Sequence, residues 1–215
     1  MTSFSHHYQH IIWDWNGTLF DDARVCVEAM NTLLGRRNRP LLTYHRYLEV
    51  FDFPVKVYYQ RVGFDFREEP FEALAQEYIT EYDRRQWGCA LQNQAQEALQ
   101  TVFEHGLTQS ILSACHQDRL EQIVDSFEIN SYFHRLVGLS DYYAESKIRN
   151  GQRLLGELMI PPAEIVLIGD TTHDFEVAQA LHIDCILVEG GHHPRERLEA
   201  TGATVRGSLK ELFSL

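Results

Sequence analysis

Short apolar runs that alternate with helical stretches constrain the fold of this chain more than any other feature of its sequence. Residues 11–13, 165–168 and 185–188 are apolar throughout, which is typical of strands that are buried on both faces of a parallel sheet. From about residue 93 onward, such runs are separated by segments whose apolar residues recur at helical spacing. Repeated strand–helix units predict an α/β fold with a Rossmann-like parallel sheet at its core.

The stretch from residue 21 to residue 88 differs, because its apolar residues follow helical spacing almost throughout and no strand of convincing length is predicted there. The clearest helix carries a single apolar stripe, made of Phe71, Leu74, Ala75, Tyr78, Ile79 and Tyr82. We therefore expect a core domain built from residues 1–20 and 89–215, and a helical domain inserted at residues 21–88.

Composition excludes several classes of partner. The net charge of −12 argues against binding to nucleic acid. No apolar run approaches the roughly 18 residues needed to span a bilayer, and the N-terminal residues lack the pattern of a secretory signal. The four cysteines are dispersed and form no Cys-x-x-Cys pair, which favours a reduced, cytoplasmic setting. We expect a cytoplasmic protein, monomeric or homodimeric, with neither a membrane nor a nucleic-acid partner.

Polar side chains follow several of the predicted strands directly. Asp14 comes after residues 11–13, Ser113 follows Leu112, and Asp170 lies two residues after Ile168. Ligands of open parallel sheets bind beyond the C-terminal ends of the strands, so these side chains are expected to meet. Carboxylates that converge without thiols or a strong set of histidines suit a hard cation such as Mg²⁺.

The same region carries groups that suit phosphoryl chemistry. A carboxylate beside a cation can attack a phosphoryl group without repulsion from the phosphate's own charge. Ser113 could donate to a phosphoryl oxygen, Lys147 could place a positive charge beside it, and the backbone N–H groups of Gly17 and Thr18 could cradle an anion. Each feature alone is more often a helix cap or an exposed lysine, so their order along the chain carries the argument.

That order resembles the haloacid dehalogenase-like superfamily of hydrolases. The segment Asp14-Trp15-Asn16-Gly17-Thr18-Leu19 resembles the first motif of the superfamily, Asp-x-Asp-Gly-Thr/Val. Ser113 is similar to the second motif, Lys147 to the third, and residues 169–174 to the fourth. The helical insert lies between the first and second motifs, where the phosphoglycolate-phosphatase-like branch carries a helical cap that closes over the site.

The resemblance implies a phosphatase that acts on a small phosphorylated metabolite. Asp14 would be the nucleophile that becomes a phospho-aspartate, and Ser113 and Lys147 would hold the transferring phosphoryl group. The carboxylates of Asp14 and Asp170 and the backbone carbonyl of Asn16 would bind Mg²⁺. Asp174 would lie in or beside that coordination shell.

Position 16 departs from the motif, because the superfamily usually has an aspartate there that protonates the leaving oxygen and then activates water. Asn16 can form hydrogen bonds but cannot shuttle a proton at neutral pH. Four readings stay open: an enzyme for good leaving groups or with a borrowed base such as His173, a long-lived phospho-enzyme, a pseudo-phosphatase with a binding role, and an asparagine engineered as a trap.

Lys56 raises a further alternative. Phosphonoacetaldehyde hydrolases of this superfamily also lack an acid in the first motif and cleave a C–P bond with a cap lysine that forms a Schiff base. Lys56 is the only lysine between residues 21 and 88, and it could instead contact the phosphate of a substrate or solvent. Among the histidines, we expect His192 and His193 in a surface loop and His10 in an unstructured N-terminal segment.

Overall fold

The computed structural model describes residues 7–139 and 145–213. The chain divides into two compact units, Met1–Phe20 with Leu91–Leu215, and Asp21–Ala90. We refer to them as the core unit and the helical unit. No helix in the described ranges is long and apolar enough to cross a membrane.

The core unit contains a parallel sheet, and its described strands are β1 (His10–Trp13), β2 (Thr108–His116), β3 (Arg135–Leu139), β4 (Ile165–Gly169), β5 (Asp184–Val188) and β6 (Thr204–Arg206). Their order across the sheet is β3-β2-β1-β4-β5-β6, and every neighbouring pair is parallel. This arrangement confirms the predicted α/β class. Strands β1 and β4 lie at the centre and are buried at every residue, which explains why residues 11–13 and 165–168 are apolar throughout.

Five helices accompany the sheet in the described part of the core unit: α5 (Ala95–Glu104), α6 (Gln117–Ser126), α7 (Glu145–Leu158), α8 (Thr172–Leu181) and α9 (Arg195–Glu199). Leu154 of α7 and Val177 of α8 pack with Ile12, Leu112 and Leu167 in one apolar cluster. These contacts bury a row of strand side chains and leave the polar residues at the C-terminal strand ends facing the loops. The polar residues that follow the strands are thus expected at the C-terminal end of the sheet.

His10 corrects one expectation, since it is the first residue of β1 and is fully buried. Its Nδ1 lies 2.6 Å from the hydroxyl of Thr108, the residue that pairs with it in β2. The expectation of an unstructured segment is therefore wrong at His10, because the parallel pairing of β1 begins there.

The helical unit contains α1 (Ala23–Arg36), α2 (Tyr44–Val50), α3 (Val55–Arg61) and α4 (Phe71–Arg85). All its residues are described, and none of them lies in a strand. Its own apolar core is rich in aromatic rings, including Tyr47, Phe51, Tyr58 and Tyr59. The stripe predicted on α4 packs on this core through Leu74, Phe71, Tyr78 and Tyr82.

Candidate active site

The loop that follows β1 is held in one compact conformation. The N–H of Asp14 donates to the carbonyl of Ile168 in β4 at 2.8 Å, which carries the strand pairing one residue past β1. The carbonyl of Trp15 accepts from Leu19 and Phe20, and the Trp15 ring stacks on Phe20 with centroids 5.2 Å apart. The nucleophile predicted from the sequence therefore sits on a tight turn that is anchored by a buried indole.

Gly17 is required in this turn for two reasons. Its φ of +77° lies in the left-handed region, which side chains with a Cβ rarely adopt. A Cβ at this position would also lie 2.3 Å from Oδ2 of Asp170. The loop therefore passes so close to the Asp170 carboxylate that only glycine fits at position 17.

Three carboxylates from separate segments meet beside this turn. Asp14, Asp170 and Asp174 are 7%, 0% and 1% exposed, and each offers a carboxylate oxygen within 4.8 Å of the others. Asp170 follows β4, and Asp174 lies in the first turn of α8. The cluster contains oxygen donors only, which is the set that Mg²⁺ prefers in proteins.

Lys147 of α7 joins two of these carboxylates. Its Nζ donates to Oδ1 of Asp14 at 2.5 Å and to Oδ1 of Asp174 at 2.7 Å, and the lysine is itself buried. One ammonium against three buried carboxylates leaves an excess of negative charge. Buried charge of one sign is unfavourable unless it is paired or binds a cation, so the cluster suits a divalent metal ion.

The pKa values of the cluster express this excess. Burial is the largest effect on Asp14 and raises its pKa to about 8, with Lys147 opposing the rise and the neighbouring carboxylates adding to it. Burial likewise raises the pKa of Asp170 to about 6. Burial acts on Asp174 in the same direction, but Lys147 and the Thr171 hydroxyl hold its pKa below the ordinary value. In the absence of a cation, the raised pKa values of Asp14 and Asp170 thus disfavour a state in which all three carboxyl groups are ionised.

Hydrogen bonds fix the orientation of Asp170 and Asp174. Asp170 accepts from the Thr18 hydroxyl at 2.7 Å and from the N–H of His192 at 2.6 Å, one bond on each oxygen. Asp174 forms a capping box with Thr171, whose N–H and hydroxyl donate to Oδ2 of Asp174 at 3.0 and 2.6 Å. Both side chains are therefore oriented before any ligand binds.

Ser113 and Asn16 contact each other across the site. The Ser113 hydroxyl lies 3.4 Å from Oδ1 of Asn16 and accepts from the N–H of Cys115 at 3.0 Å. Strand β2 extends three residues beyond Ser113, and its pairing with β3 is irregular between Leu112 and His116. Ser113 thus lies inside β2, which continues past the apolar run that Ser113 follows in the sequence.

Nine residues were assigned from the sequence to catalysis, the metal or the substrate, and eight of them lie in the core unit: Asp14, Asn16, Gly17, Thr18, Ser113, Lys147, Asp170 and Asp174. Lys56 belongs to the helical unit, where it is exposed and lies over the rings of Phe66 and Phe71 at 5.6 and 5.1 Å. Its role toward a substrate stays a prediction.

The expectation of a surface loop at His192 and His193 is wrong. Both residues are buried, at 4% and 2% exposure. The N–H of His192 donates to Asp170, and Nδ1 of His193 accepts from the N–H of Thr172 at 3.0 Å. Two consecutive histidines before a proline gave no signal of this contact. The glycine pair before them, Gly190-Gly191, was the available hint that the backbone passes close to another group.

Comparison with known proteins places these features in a family. A family model described as haloacid dehalogenase-like hydrolase matches residues 11–188. A tyrosine-protein kinase named PtkA, from Mycobacterium tuberculosis, is 25% identical over 199 residues, which cover 92% of this chain and 67% of that protein.

Solved structures share the fold. A predicted phosphatase from Clostridium acetobutylicum superposes with a TM-score of 0.83 at 20% identity, over 97% of both chains. A haloacid dehalogenase-like hydrolase from Streptococcus pneumoniae gives a TM-score of 0.85 at 16% identity, over 96% of this chain and 97% of that one. The structure of PtkA itself gives 0.80 at 23% identity, over 96% of both chains.

Proposed function

This chain belongs to the haloacid dehalogenase-like hydrolase family, and on that premise we propose that it is a magnesium-dependent phosphatase that forms an aspartyl-phosphate on Asp14. Its substrate is a small phosphorylated metabolite. The proposal rests on one observation, the convergence of Asp14, Asp170 and Asp174 within 4.8 Å around the ammonium of Lys147. Solved structures with this fold include a predicted phosphatase from Clostridium acetobutylicum.

Mg²⁺ fits the residues that are present. The donors are buried carboxylates with a shortage of positive charge, and the carbonyl of Asn16 lies in the same loop. Asp14, Asp170 and the Asn16 carbonyl would hold the ion, with Asp174 in or beside the shell. When bound, the ion supplies positive charge that offsets the repulsion between the Asp14 carboxylate and the phosphoryl oxygens.

The chain's own residues carry the two transfers. A carboxylate oxygen of Asp14 bonds to phosphorus while the bond between phosphorus and the leaving oxygen breaks, and the leaving group takes that electron pair. Lys147 and Ser113 hold the phosphoryl oxygens by charge and hydrogen bonding. Water then bonds to phosphorus while the bond from phosphorus to Asp14 breaks, and the Asp14 carboxylate recovers that electron pair. The proton that water loses passes to the departing phosphate or to solvent, because Asn16 cannot accept it, and inorganic phosphate leaves.

Asn16 determines which leaving groups suit this site. An amide has no proton to give at neutral pH, and general acid–base help is worth about 10²–10⁴ in rate. Acyl and aryl phosphates lose little by its absence, because their leaving groups depart as stable anions. We therefore propose acyl or aryl phosphates as the better substrates, with alkyl phosphates turned over slowly.

The nucleophile is tested by replacement of Asp14. We expect Asp14→Asn to abolish phosphate release from every substrate, because the amide is a far weaker nucleophile and lacks the negative charge. Asp118→Asn serves as the matched control, since Asp118 is exposed in the first turn of α6. Turnover above background in folded Asp14→Asn protein would assign the nucleophile to another residue.

The metal is tested by calorimetry on metal-free protein. We expect Asp170→Ala to weaken Mg²⁺ binding strongly and Asp118→Ala to leave it unchanged, because only the former removes a carboxylate from the cluster. Unchanged magnesium affinity in Asp170→Ala would contradict the proposed metal site.

Transfer of the phosphoryl group to an acceptor other than water is a second candidate. It is favoured by Asn16, which leaves water without the usual base, and a relative of this chain is named as a tyrosine-protein kinase. Protein treated with acetyl phosphate and Mg²⁺ and then quenched in acid would retain one phosphoryl group by intact mass. A parallel sample that is freed of acetyl phosphate but not quenched would pass that group to an added tyrosine peptide. Rapid release of inorganic phosphate with no retained group would exclude this candidate.

Two further alternatives have direct assays. C–P cleavage through a Schiff base would use Nζ of Lys56, which is exposed in the helical unit and lies over the rings of Phe66 and Phe71. Turnover of phosphonoacetaldehyde that is lost in Lys56→Arg would favour this reaction. A pseudo-phosphatase with a binding role would show thermal stabilisation by a ligand without turnover.

A further inference from the structure

The segment that follows β5 fastens the loop that carries Asp170 and Asp174 at two points. The N–H of His192 donates to Oδ2 of Asp170 at 2.6 Å, and the next residue, His193, accepts the N–H of Thr172 on its Nδ1 at 3.0 Å. Both histidines are buried. Consecutive residues of one segment thus hold a proposed metal ligand and the first residue of α8.

The backbone of this segment lies directly against the Asp170 carboxylate. A Cβ on Gly191 would lie 2.1 Å from Oδ2 of Asp170. The side-chain amide of Gln92 donates to the carbonyl of Gly17 at 2.9 Å and to that of Gly190 at 3.3 Å. The segment is therefore tied to the nucleophile loop as well, and it completes one wall around Asp170.

The hydrogen bond from Thr172 to His193 satisfies one of the free N–H groups at the start of α8. The first N–H groups of a helix have no acceptor within the helix. The capping box serves Thr171 and Asp174, and the N–H of Thr172 between them is taken by the imidazole of His193. An Nδ1 that accepts this bond carries no hydrogen, so the imidazole is neutral with its hydrogen on Nε2.

We infer that His193 is a positioning residue for the magnesium site: through Thr172 it fixes the turn between Asp170 and Asp174, so that both carboxylates face the cation. The inference rests on the proposed function, because it concerns the same metal. The effect of His193 on the cation passes through the backbone of the turn, to which it bonds at Thr172. Partners that bond directly to a metal ligand change metal affinity about 10–100-fold when they are removed, and a partner that acts through the turn is expected at the lower end of that range.

The test compares three replacements that differ in what they offer to Thr172. His193→Asn keeps an acceptor near the position of Nδ1, whereas His193→Gln moves its amide to the position of Nε2 and His193→Leu has no acceptor. His105→Leu is the control, since His105 is exposed at the end of α5. The measurement is the Mg²⁺ dissociation constant of metal-free protein by titration calorimetry, with circular dichroism to verify folding.

We expect His193→Leu and His193→Gln to bind Mg²⁺ about 10-fold more weakly or worse, and His193→Asn and His105→Leu to bind as the wild type does. A merely structural histidine would lower thermal stability without this division by acceptor. Wild-type affinity in folded His193→Gln, or equal weakening in the Asn and Gln variants, would overturn the inference even if the Leu variant does not fold. Absence of Mg²⁺ binding by the wild type would instead refute the magnesium-dependent function, and the inference with it.

Discussion

Asn16 and Asp14 lie two residues apart in one loop, but only Asp14 has a carboxylate that could exchange a proton or attack phosphorus. The Asn16 side chain faces the Ser113 hydroxyl at 3.4 Å, and its amide has no proton to give to a leaving group at neutral pH. The backbone carbonyl is the same for any side chain, so the proposed metal-binding role of residue 16 is compatible with asparagine. The consequence is a site that we expect to bind its cation normally while lacking the usual proton transfer.

Replacement of Asn16 tests that consequence. Asn16→Asp should raise turnover of an alkyl phosphate by roughly 10²-fold or more, because the leaving alkoxide then receives a proton. The same change should scarcely alter turnover of an aryl or acyl phosphate. Steady-state kinetics with one substrate of each kind measures both effects in the same preparations.

Deamidation must be controlled in that experiment. The Asn16-Gly17 pair can convert to aspartate or isoaspartate on storage wherever the chain is flexible, so intact mass and peptide mapping of fresh protein accompany the kinetics. If fresh, undeamidated wild type already hydrolyses alkyl phosphates as fast as Asn16→Asp does, the missing acid is not limiting. A substitute base such as His173 would then be sought.

Gly191 illustrates how little room surrounds Asp170. An alanine Cβ would lie 2.1 Å from Oδ2 of Asp170, so Gly191→Ala must displace the carboxylate or the segment after β5. We expect a loss of about 1–3 kcal/mol in the free energy of unfolding, as for other overpacked sites, together with weaker Mg²⁺ binding by calorimetry. Gly156→Ala is the control, because Gly156 lies in α7 with nothing within 4 Å, and alanine there should stabilise the helix by up to about 1 kcal/mol. Wild-type stability and magnesium affinity in Gly191→Ala would contradict the close approach.

At the level of strands and helices, the sequence predicted the strands that are buried along their whole length, because burial gives them an uninterrupted apolar run. Strands β1 and β4 were predicted because both of their faces are covered, which makes residues 11–13 and 165–168 apolar. Strand β6 (Thr204–Arg206) was missed because it has three residues that are exposed or half-buried. Strand β2 extends past the apolar run that ends at Leu112, and this extension has no alternating pattern in the sequence and pairs only irregularly with β3.

The candidate site was predictable to the extent that its residues follow strand ends. Asp14 and Asp170 follow strands that pair directly with each other, so their meeting could be expected from the parallel topology. The hydroxyl of Thr18 on Asp170 and the imidazole of His193 on Thr172 could not be expected. Those bonds depend on the path of two loops in space, and no periodicity or spacing records that path.

Buried His10 at the start of β1 provides a prediction about pH. Burial, followed by the charge of His134, lowers the pKa of His10 from 6.5 to about 4. Between these values the unfolded chain binds a proton that the folded protein does not, so stability falls as pH falls through this window. We expect His10→Gln to remove part of this loss, by up to about 1.4 kcal/mol per pH unit.

Urea denaturation of the wild type and His10→Gln at pH 7, 5.5 and 4.5 measures the effect. The glutamine does not titrate, so any change in the pH dependence reports the loss of the imidazole whose Nδ1 now contacts the Thr108 hydroxyl. Free energies of unfolding that differ by a constant amount at all three pH values would show that His10 does not sense pH in this range.

At the scale of the whole molecule, every contact described above for the proposed chemistry lies in the core unit. The three carboxylates, Lys147 and the segment after β5 all belong to Met1–Phe20 or Leu91–Leu215. The two ends of the core chain where the helical unit is inserted lie side by side, since Phe20 and Leu91 form an antiparallel bridge and the N–H of Gln92 donates to the carbonyl of Leu19 at 2.8 Å. The insertion therefore leaves and returns at one point of the core unit.

This geometry predicts that the core unit survives excision of the helical unit. A short Gly/Ser linker from Phe20 to Leu91 has almost no distance to span, because the two residues already pair, and the core unit keeps its own sheet and apolar cluster. We expect the excised protein to melt cooperatively by circular dichroism and to bind Mg²⁺ within about twofold of the full chain, as independent sites do. The Asp170→Ala change should abolish that binding in both proteins.

Discrimination among phosphate substrates should fall in the excised protein while turnover of a small aryl phosphate persists, because the proposed phosphoryl-holding groups remain. A folded core that no longer binds Mg²⁺ would mean that the helical unit contributes to the metal site, and a core that fails to melt cooperatively would mean that the two units fold as one.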